Sequence, residues 1–167
     1  MKNLCEIKNN KKNSDVRYME LAIKIAEKGI GTVDSPFGAC IIKGNDVLAV
    51  GHSTVLSNNN ATRHAEMNAI AAASKKLKTF DLSGCTIYST TEPCPMCFSA
   101  IHWARISKIV WGTNISDVKA LGFSELTVSN KQMKKLGKSK VKITSDFMRN
   151  ECLDLLKKWK KGKGKIY

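Results

Sequence analysis

Hydrophobic positions along the chain follow two alternating spacings. Apolar residues three or four positions apart, the spacing of a helix with one buried face, occupy residues 15–29, 65–76, 94–105 and 147–159. Short apolar runs, typical of buried strands, occupy residues 39–42, 47–51, 85–89, 108–111 and 140–143. Strands that alternate with helices predict an α/β fold, a three-layer α/β/α sandwich around a mixed central sheet of about five strands.

Turn-forming residues separate these elements. Gly29 can end the first helix, because glycine readily adopts the left-handed conformation that closes helices. Gly44 and Asn45 suit a tight turn, which would join the first two strands in antiparallel order. No repeat or low-complexity linker divides the sequence, so residues 15–167 are predicted to form one domain. Residues 1–14, rich in lysine and asparagine, are predicted to be a flexible basic extension.

The composition is that of an ordinary globular protein, with 43% hydrophobic and 25% charged residues. No apolar run is long enough to cross a bilayer, and the first residues lack the apolar core of a signal peptide. The cysteines outside the motif described below are scattered, which fits a reducing compartment. We therefore expect a cytoplasmic protein with no membrane partner.

The formal net charge of +14 raises nucleic acid as a partner. Much of the lysine excess lies near the two ends and in residues 131–142, and, Trp159 apart, it is not interleaved with aromatic residues. Such an excess more often gives a solvated, soluble surface. Nucleic acid is therefore the less favoured partner, and a small molecule is the more favoured one.

Residues suited to metal binding and proton transfer cluster at the predicted starts of two helices. They lie in two short runs, His64-Ala65-Glu66 and Pro93-Cys94-Pro95-Met96-Cys97. One histidine and two cysteines suit a tetrahedral Zn²⁺ and leave its fourth position for water. Glu66 can reach the same pocket from the first helical turn without ligating the metal, and there it can move a proton. Prolines favour a helix start at the second run, where the helix dipole stabilises thiolates.

Two other interpretations of these runs stay open at this point. A Cys-x-x-Cys pair is also found in redox proteins. A structural zinc site would need a fourth protein ligand, for which the spare candidates are His52, His102, Cys85 and Glu66. Because both runs occur together and in order, each beside helical sequence, they favour a catalytic zinc site over a redox pair.

The order His-x-Glu followed by Pro-Cys-x-x-Cys is the signature of the zinc nucleobase deaminases. Over residues 15–167 the chain resembles the cytidine deaminase-like superfamily in its purine branch. Three runs carry the resemblance: Pro36-Phe37-Gly38-Ala39, Arg63-His64-Ala65-Glu66-Met67-Asn68-Ala69-Ile70 and Glu92-Pro93-Cys94-Pro95-Met96-Cys97. They look like the core shared by bacterial-type guanine deaminases, plant guanosine deaminases and tRNA adenosine deaminases. The resemblance implies one Zn²⁺ per chain, held by His64, Cys94 and Cys97, with Glu66 as the catalytic base.

The downstream half is similar to the bacterial-type guanine deaminases in two further runs, Ala100-Ile101-His102-Trp103-Ala104-Arg105 and Gly122-Phe123-Ser124-Glu125, and in the terminal Tyr167. This similarity implies a domain-swapped homodimer, in which the C-terminal segment, about residues 147–167, covers the partner's active site. It also implies substrate contacts. Phe37 and Trp103 are expected to pack around the base, Ala65 to lie beside it, and Tyr167 to close the pocket.

Two positions depart from the family pattern at the expected substrate pocket. Ser53 stands eleven residues before the zinc histidine, where the family usually has an asparagine that contacts the base or sugar. Glu125 stands where the family usually has an aspartate. A carboxylate can accept two N–H donors, from N1 and the 2-amino group of guanine, whereas adenine offers no such pair. Glu125 therefore favours guanine, and the two departures leave other aminated heterocycles open.

The residues and the resemblance together predict a zinc-dependent aminohydrolase that converts guanine to xanthine and ammonia. In this hypothesis Zn²⁺ lowers the pKa of a bound water, and Glu66 accepts the proton. The alternatives are a tRNA-specific adenosine deaminase that makes inosine, a deaminase of guanosine, cytosine or an aminotriazine, and a non-catalytic module stabilised by zinc.

Overall fold

The structure, a computed structural model, describes residues 4–30, 32–162 and 164–166, with side chains from Asn13 onward. Its elements in chain order are α1 (Leu4–Ile30), β1 (Gly38–Lys43), β2 (Asp46–His52), α2 (Ala65–Leu77), β3 (Cys85–Thr91), α3 (Pro95–Trp103), β4 (Lys108–Thr113), α4 (Ile115–Lys119), α5 (Asn130–Leu136), β5 (Lys142–Thr144) and α6 (Arg149–Lys161). No helix within these ranges is long and apolar enough to cross a membrane.

The strands form one mixed sheet in the order β2-β1-β3-β4-β5. β1 pairs antiparallel with both β2 and β3, whereas β3, β4 and β5 run parallel to one another. The hairpin between β1 and β2 turns at Gly44, whose φ of 60° lies in the left-handed region that favours glycine. The predicted mixed sheet of about five strands is confirmed.

Helices cover the sheet on both faces, and the side chains of each strand alternate between the two. On β1, Ala39 and Ile41 belong to the core shared with α2 and α3, whereas Cys40 and Ile42 pack with residues of α1. Since both faces are covered, β1 is buried along nearly its whole length. The predicted three-layer α/β/α architecture is confirmed.

The first helix is longer than the hydrophobic pattern predicts. α1 begins at Leu4 rather than at Asp15, so the predicted boundary at residue 14 falls inside a helix. Neither glycine nor proline interrupts residues 4–28, and charged and amide side chains can continue a helix that has no apolar stripe. The apolar positions identify only the part of α1 that packs on the sheet.

The last strand is shifted from its predicted position. β5 begins at Lys142, two residues after the predicted start, because Lys142 is the first residue of this segment in the ladder with β4. The preceding Val141 is buried in the core without joining that ladder. A buried residue outside any strand gives the same apolar signal as a strand residue, which explains the displaced prediction.

The two connections that carry the predicted ligands follow strands that end on the same side of the sheet. β2 and β3 both run antiparallel to β1, so they point in the same direction, and each is followed by a loop and a helix. α2 lies directly on β2 at Gly51, where an added Cβ atom would stand 2.5 Å from the carbonyl oxygen of Ala65. This close approach, which requires glycine, fixes the first turn of α2 against the end of β2.

The C-terminal helix packs within its own chain. In α6, Cys152, Leu155, Leu156 and Trp159 are buried. The Trp159 ring lies 5.2 Å, between ring centroids, from that of Phe123. The predicted exchange of this segment between protomers stays a prediction, and Tyr167 lies outside the described residues.

Candidate functional site

Two helix starts supply the predicted metal ligands. His64 is the N-cap of α2 and Cys94 is the N-cap of α3, and both have extended backbone conformations. Pro95 follows as the first residue of α3, where its missing N–H costs no helical hydrogen bond. Cys97 lies in the first turn of the same helix. The local sequence therefore starts each helix at a ligand.

The three ligand side chains meet. One potential ligand atom each from His64, Cys94 and Cys97 lies within 4.8 Å of the other two. The Nδ1 atom of His64 is 3.7 Å from the Sγ atom of Cys94, close to the separation of about 3.5 Å that a nitrogen and a sulfur ligand have around tetrahedral zinc. The donor set and its spacing therefore fit Zn²⁺.

The fourth position of the metal has no protein ligand among the described residues, where the grouping contains His64, Cys94 and Cys97 alone. Two of the spare candidates, Cys85 and His102, lie away from this group. Cys85 begins β3, at the end of the strand away from the ligands, and the Nδ1 atom of His102 pairs with Ser139. Three protein ligands and an open position are the arrangement of a catalytic zinc site.

Glu66 lies beside the ligands without belonging to their group. Its side chain is 6% exposed. The hydroxyl of Ser89 donates to Oε1 over 2.8 Å, and the Sγ atom of Cys97 lies 3.4 Å from Oε2. Burial is the largest cause that shifts the pKa of Glu66, and it raises that pKa, which makes the carboxylate a better proton acceptor.

The two thiols differ in their readiness to bind metal. The hydrogen bond from Cys97, followed by the contacts with His64, lowers the pKa of Cys94 to about 4. The same hydrogen bond, together with burial, raises the pKa of Cys97. Burial lowers the pKa of His64, but its hydrogen bond to Cys94 and the charge of Glu66 outweigh burial, and the net shift is upward. Cys94 is therefore a thiolate at neutral pH, the form that binds metal.

A cleft of about 330 Å³ opens beside the ligands. Its walls include Met96, Phe123 and Leu126. An adjoining recess of about 20 Å³ is lined by Phe37, Glu66, Glu125 and two of the ligands, His64 and Cys94. The rings of Phe37 and Phe123 meet edge to face, 5.3 Å apart between centroids. A cleft of this size suits a small, mostly flat molecule.

Four of the predicted substrate residues are buried or half-buried at the recess or next to a residue that lines it. Phe37 and Glu125 line the recess, and Ala65 is buried between the ligand His64 and Glu66. Ser53 is buried, its backbone N–H donates to the carbonyl oxygen of Phe37 over 3.0 Å, and its hydroxyl makes no hydrogen bond within the described part of the chain.

Within one chain, Trp103 lies away from the recess. It ends α3, at the opposite end from the metal ligands, and its side chain is 75% exposed. A helix start and a helix end cannot line the same small pocket, because α3 extends roughly 13 Å between them. A contact between Trp103 and a base stays a prediction for an assembled dimer.

Sequence reasoning missed two polar residues that hold the site together. Ser89 lies inside a buried strand, and its hydrogen bond to Glu66 joins β3 to α2. Glu92 is buried, and its carboxylate accepts from the backbone N–H groups of Asn130 and Ile115, over 2.8 Å and 3.3 Å. The signal was present in the sequence as polar side chains interrupting or ending a buried strand, but their partners are distant in the chain.

This fold, with three zinc ligands at two helix starts and a carboxylate beside them, defines a zinc-dependent deaminase. Residues 12–113 match the family described as the cytidine and deoxycytidylate deaminase zinc-binding region. The chain therefore belongs to this family. The resemblance noted from the sequence is confirmed, and so are the zinc cofactor and the enzymatic class, which sets aside the redox pair and the non-catalytic module.

Relatives of the chain act on more than one substrate. It is 34% identical to a tRNA-specific adenosine deaminase from Buchnera aphidicola, over 92% of this chain and 98% of the relative. It is 36% identical to the guanine deaminase of Bacillus subtilis, over 65% of this chain and 70% of the relative. The structure of the guanine deaminase from Nitrosomonas europaea superposes with a TM-score of 0.78 at 27% identity, covering 85% of this chain and 82% of that one. Membership of the family therefore establishes the type of reaction but does not identify the substrate.

Replacing one ligand is expected to remove the metal. In Cys94→Ala, zinc bound per chain should fall to well below one equivalent, because two ligands remain. Metal content can be measured by mass spectrometry after purification in zinc. Cys40→Ala, which removes a buried thiol on β1, is the matched control and should keep its zinc. Unchanged metal content in Cys94→Ala would refute the ligand set.

Removing the hydroxyl of Ser89 is expected to impair catalysis through Glu66. A hydrogen bond to a charged group contributes roughly 1.5–3 kcal/mol, so Ser89→Ala should lower kcat roughly 10-fold or more, with little change in KM. Steady-state ammonia release measures both constants. Ser35→Ala removes a buried hydroxyl that has no hydrogen bond in the described residues and should leave kcat unchanged. Equal kcat values for the two variants would contradict this role.

Proposed function

We propose that this enzyme hydrolyses guanine to xanthine and ammonia. The observation that carries the proposal is the position of Glu125, whose carboxylate lines the same recess as Glu66 and the ligand His64. A base that presents its amino-bearing carbon to the metal would thus have a second carboxylate within reach of its edge. The guanine deaminases from Bacillus subtilis and Nitrosomonas europaea support this substrate.

Glu125 suits guanine for a reason of hydrogen-bond pattern. Guanine presents two neighbouring donors, N1–H and the 2-amino group, and one carboxylate can accept from both. Glu125 is half-buried, and a charge-assisted pair at a partly desolvated position is stronger than one in water. Glu125 and His64 also line the larger cleft of about 330 Å³, which has room for a flat purine, and Phe37 supplies an aromatic surface in the adjoining recess.

The residues of the chain divide the chemistry among themselves. His64, Cys94 and Cys97 would hold the zinc ion, which when bound acts as a Lewis acid and lowers the pKa of a coordinated water. Glu66 takes a proton from the attacking water and passes it to the ring nitrogen, and it then takes the second proton of that water and passes it to the departing amine, which leaves as ammonia. Ser89 keeps the Glu66 carboxylate directed at the recess by its hydrogen bond.

Glu66→Gln tests the assigned base. The amide keeps the size of the side chain but cannot accept the proton, so turnover should fall at least about 100-fold, the lower end of what a general base contributes. The metal content of the variant should equal that of the wild type, which separates loss of the base from loss of zinc. Near-normal ammonia release by Glu66→Gln would refute the mechanism.

A second candidate is the deamination of adenosine to inosine in tRNA. It is favoured by the Buchnera aphidicola relative, which aligns over nearly its whole length, and by the net charge of +14. Ammonia release from guanine, guanosine, adenine, cytosine, aminotriazines and tRNA, each at the same concentration, decides between the candidates. Release from guanine supports the proposal, and release from tRNA alone overturns it in favour of the second candidate.

Glu125→Gln tests how the base is read. The variant loses one acceptor and gains an N–H group opposite a donor of guanine, so kcat/KM for guanine should fall roughly 10- to 100-fold. Turnover of any substrate without the paired donors, such as adenine or cytosine, should change much less. Glu125→Asp, which keeps the carboxylate, should retain more guanine activity than Glu125→Gln. If both variants matched the wild type on guanine, Glu125 would not read the base.

We also propose that the enzyme acts as a homodimer whose tails cover the partner's cleft. The cleft opens to solvent beside Phe123 and Leu126, and Leu126 is an exposed apolar side chain there. Within one chain the tail already lies next to this cleft, where the Ile166 side chain approaches Gly122, and in the dimer it would take the same position on the partner. Trp103, exposed at the end of α3, is a second apolar side chain that a dimer could cover.

A further inference from the structure

A second cavity, of about 610 Å³, is lined by the end of α3, the start of β4 and the segment between α5 and β5. Its cationic residues are Arg105, Lys138, Lys140 and Lys142, and we name it the basic cavity. We propose that the basic cavity binds the phosphate backbone of RNA. The inference goes beyond the proposed function and holds whether guanine or tRNA is the substrate.

The basic cavity is separate from the metal site. It lies where β4 and β5 begin, with Lys142 paired in register to Lys108. The metal ligands follow the opposite, carboxyl end of β3, which runs parallel to β4. A strand of six residues extends roughly 20 Å, so an RNA segment in the basic cavity would not touch the catalytic recess.

The charge of the basic cavity is largely uncompensated. Asp81 pairs with Arg105 over 2.7 Å. For Lys138, Lys140 and Lys142, the described part of the chain offers no carboxylate within 4.0 Å, and all three side chains are exposed. Three neighbouring ammonium groups repel one another, and an anionic ligand would relieve that repulsion.

The arrangement of the lysines suits a chain of phosphates. Lys140 and Lys142 are two residues apart, so at most about 7 Å of chain separates them. Each can therefore contact a different phosphate of one strand. Lysine binds phosphate as a mobile point charge and needs no fixed geometry, as recognition of a backbone without sequence preference requires. The hydroxyl of Ser107, exposed in the same cavity, is a further donor for a phosphate oxygen.

RNA is favoured over a small phosphate or an acidic protein. The charge of three lysines without a carboxylate partner exceeds what one phosphate can neutralise. The net charge of +14 extends the attraction over the whole molecule and favours a polyanion.

The test measures RNA binding by the zinc-loaded full chain and two triple variants. Lys138→Gln/Lys140→Gln/Lys142→Gln removes the charge of the basic cavity. Lys24→Gln/Lys28→Gln/Lys161→Gln removes the same charge from α1 and α6, on the other face of the sheet. The probe is a labelled single-stranded RNA of about 20 nucleotides, and its fluorescence anisotropy gives Kd at several salt concentrations.

The cavity variant should raise Kd roughly 10-fold or more at about 100 mM salt and reduce the slope of log K against log salt by about 2, as loss of three phosphate contacts predicts. The control variant should change Kd less than about 3-fold, and both variants should bind as much zinc per chain as the wild type. Equal weakening by the two variants, or no binding by the wild type, overturns the proposal. Displacement of the RNA by inorganic phosphate at about 1 mM, or by polyglutamate of equal charge, would also overturn it in favour of a different ligand.

Discussion

The metal site depends on two helices that start next to each other, beyond the carboxyl ends of β2 and β3. Because β2 and β3 point in one direction, the loops after them deliver His64 and Cys94 to neighbouring positions, as the N-caps of α2 and α3. Three ligand atoms, one each from His64, Cys94 and Cys97, thereby come within 4.8 Å of one another. Helix starts also carry partial positive charge, which favours thiolate and carboxylate groups. The topology of the sheet therefore creates both the geometry and the electrostatics that zinc needs.

The carboxylate beside the metal ligands is held by contacts from two other elements. Glu66 belongs to α2, but Ser89 on β3 and Cys97 on α3 are the side chains that reach its oxygens. Glu92 acts similarly in the loop between β3 and α3, where it accepts from the starts of α4 and α5. The elements downstream of the two motifs thus help to keep the loop of Cys94 in place.

Local patterns predicted most of the fold and the metal site. Buried strands, amphipathic helices and the two ligand runs leave signals within a few residues of one another, and these predictions are confirmed. Long-range relations were not predictable in the same way. The bond between Ser89 and Glu66 joins residues 23 positions apart, and the start of α1 at Leu4 has no apolar stripe to mark it. Trp103 was assigned by motif alone, and one chain places it at the far end of α3 from the metal ligands.

The central claim is that zinc has three protein ligands and that Glu66 stands beside it as a proton carrier. X-ray absorption at the zinc edge measures this directly. We predict one nitrogen at about 2.0 Å, two sulfurs at about 2.3 Å and one oxygen at about 2.0 Å, with the same oxygen in Glu66→Ala, since water supplies it. A fourth nitrogen or sulfur ligand, or loss of the oxygen in Glu66→Ala, would contradict the account.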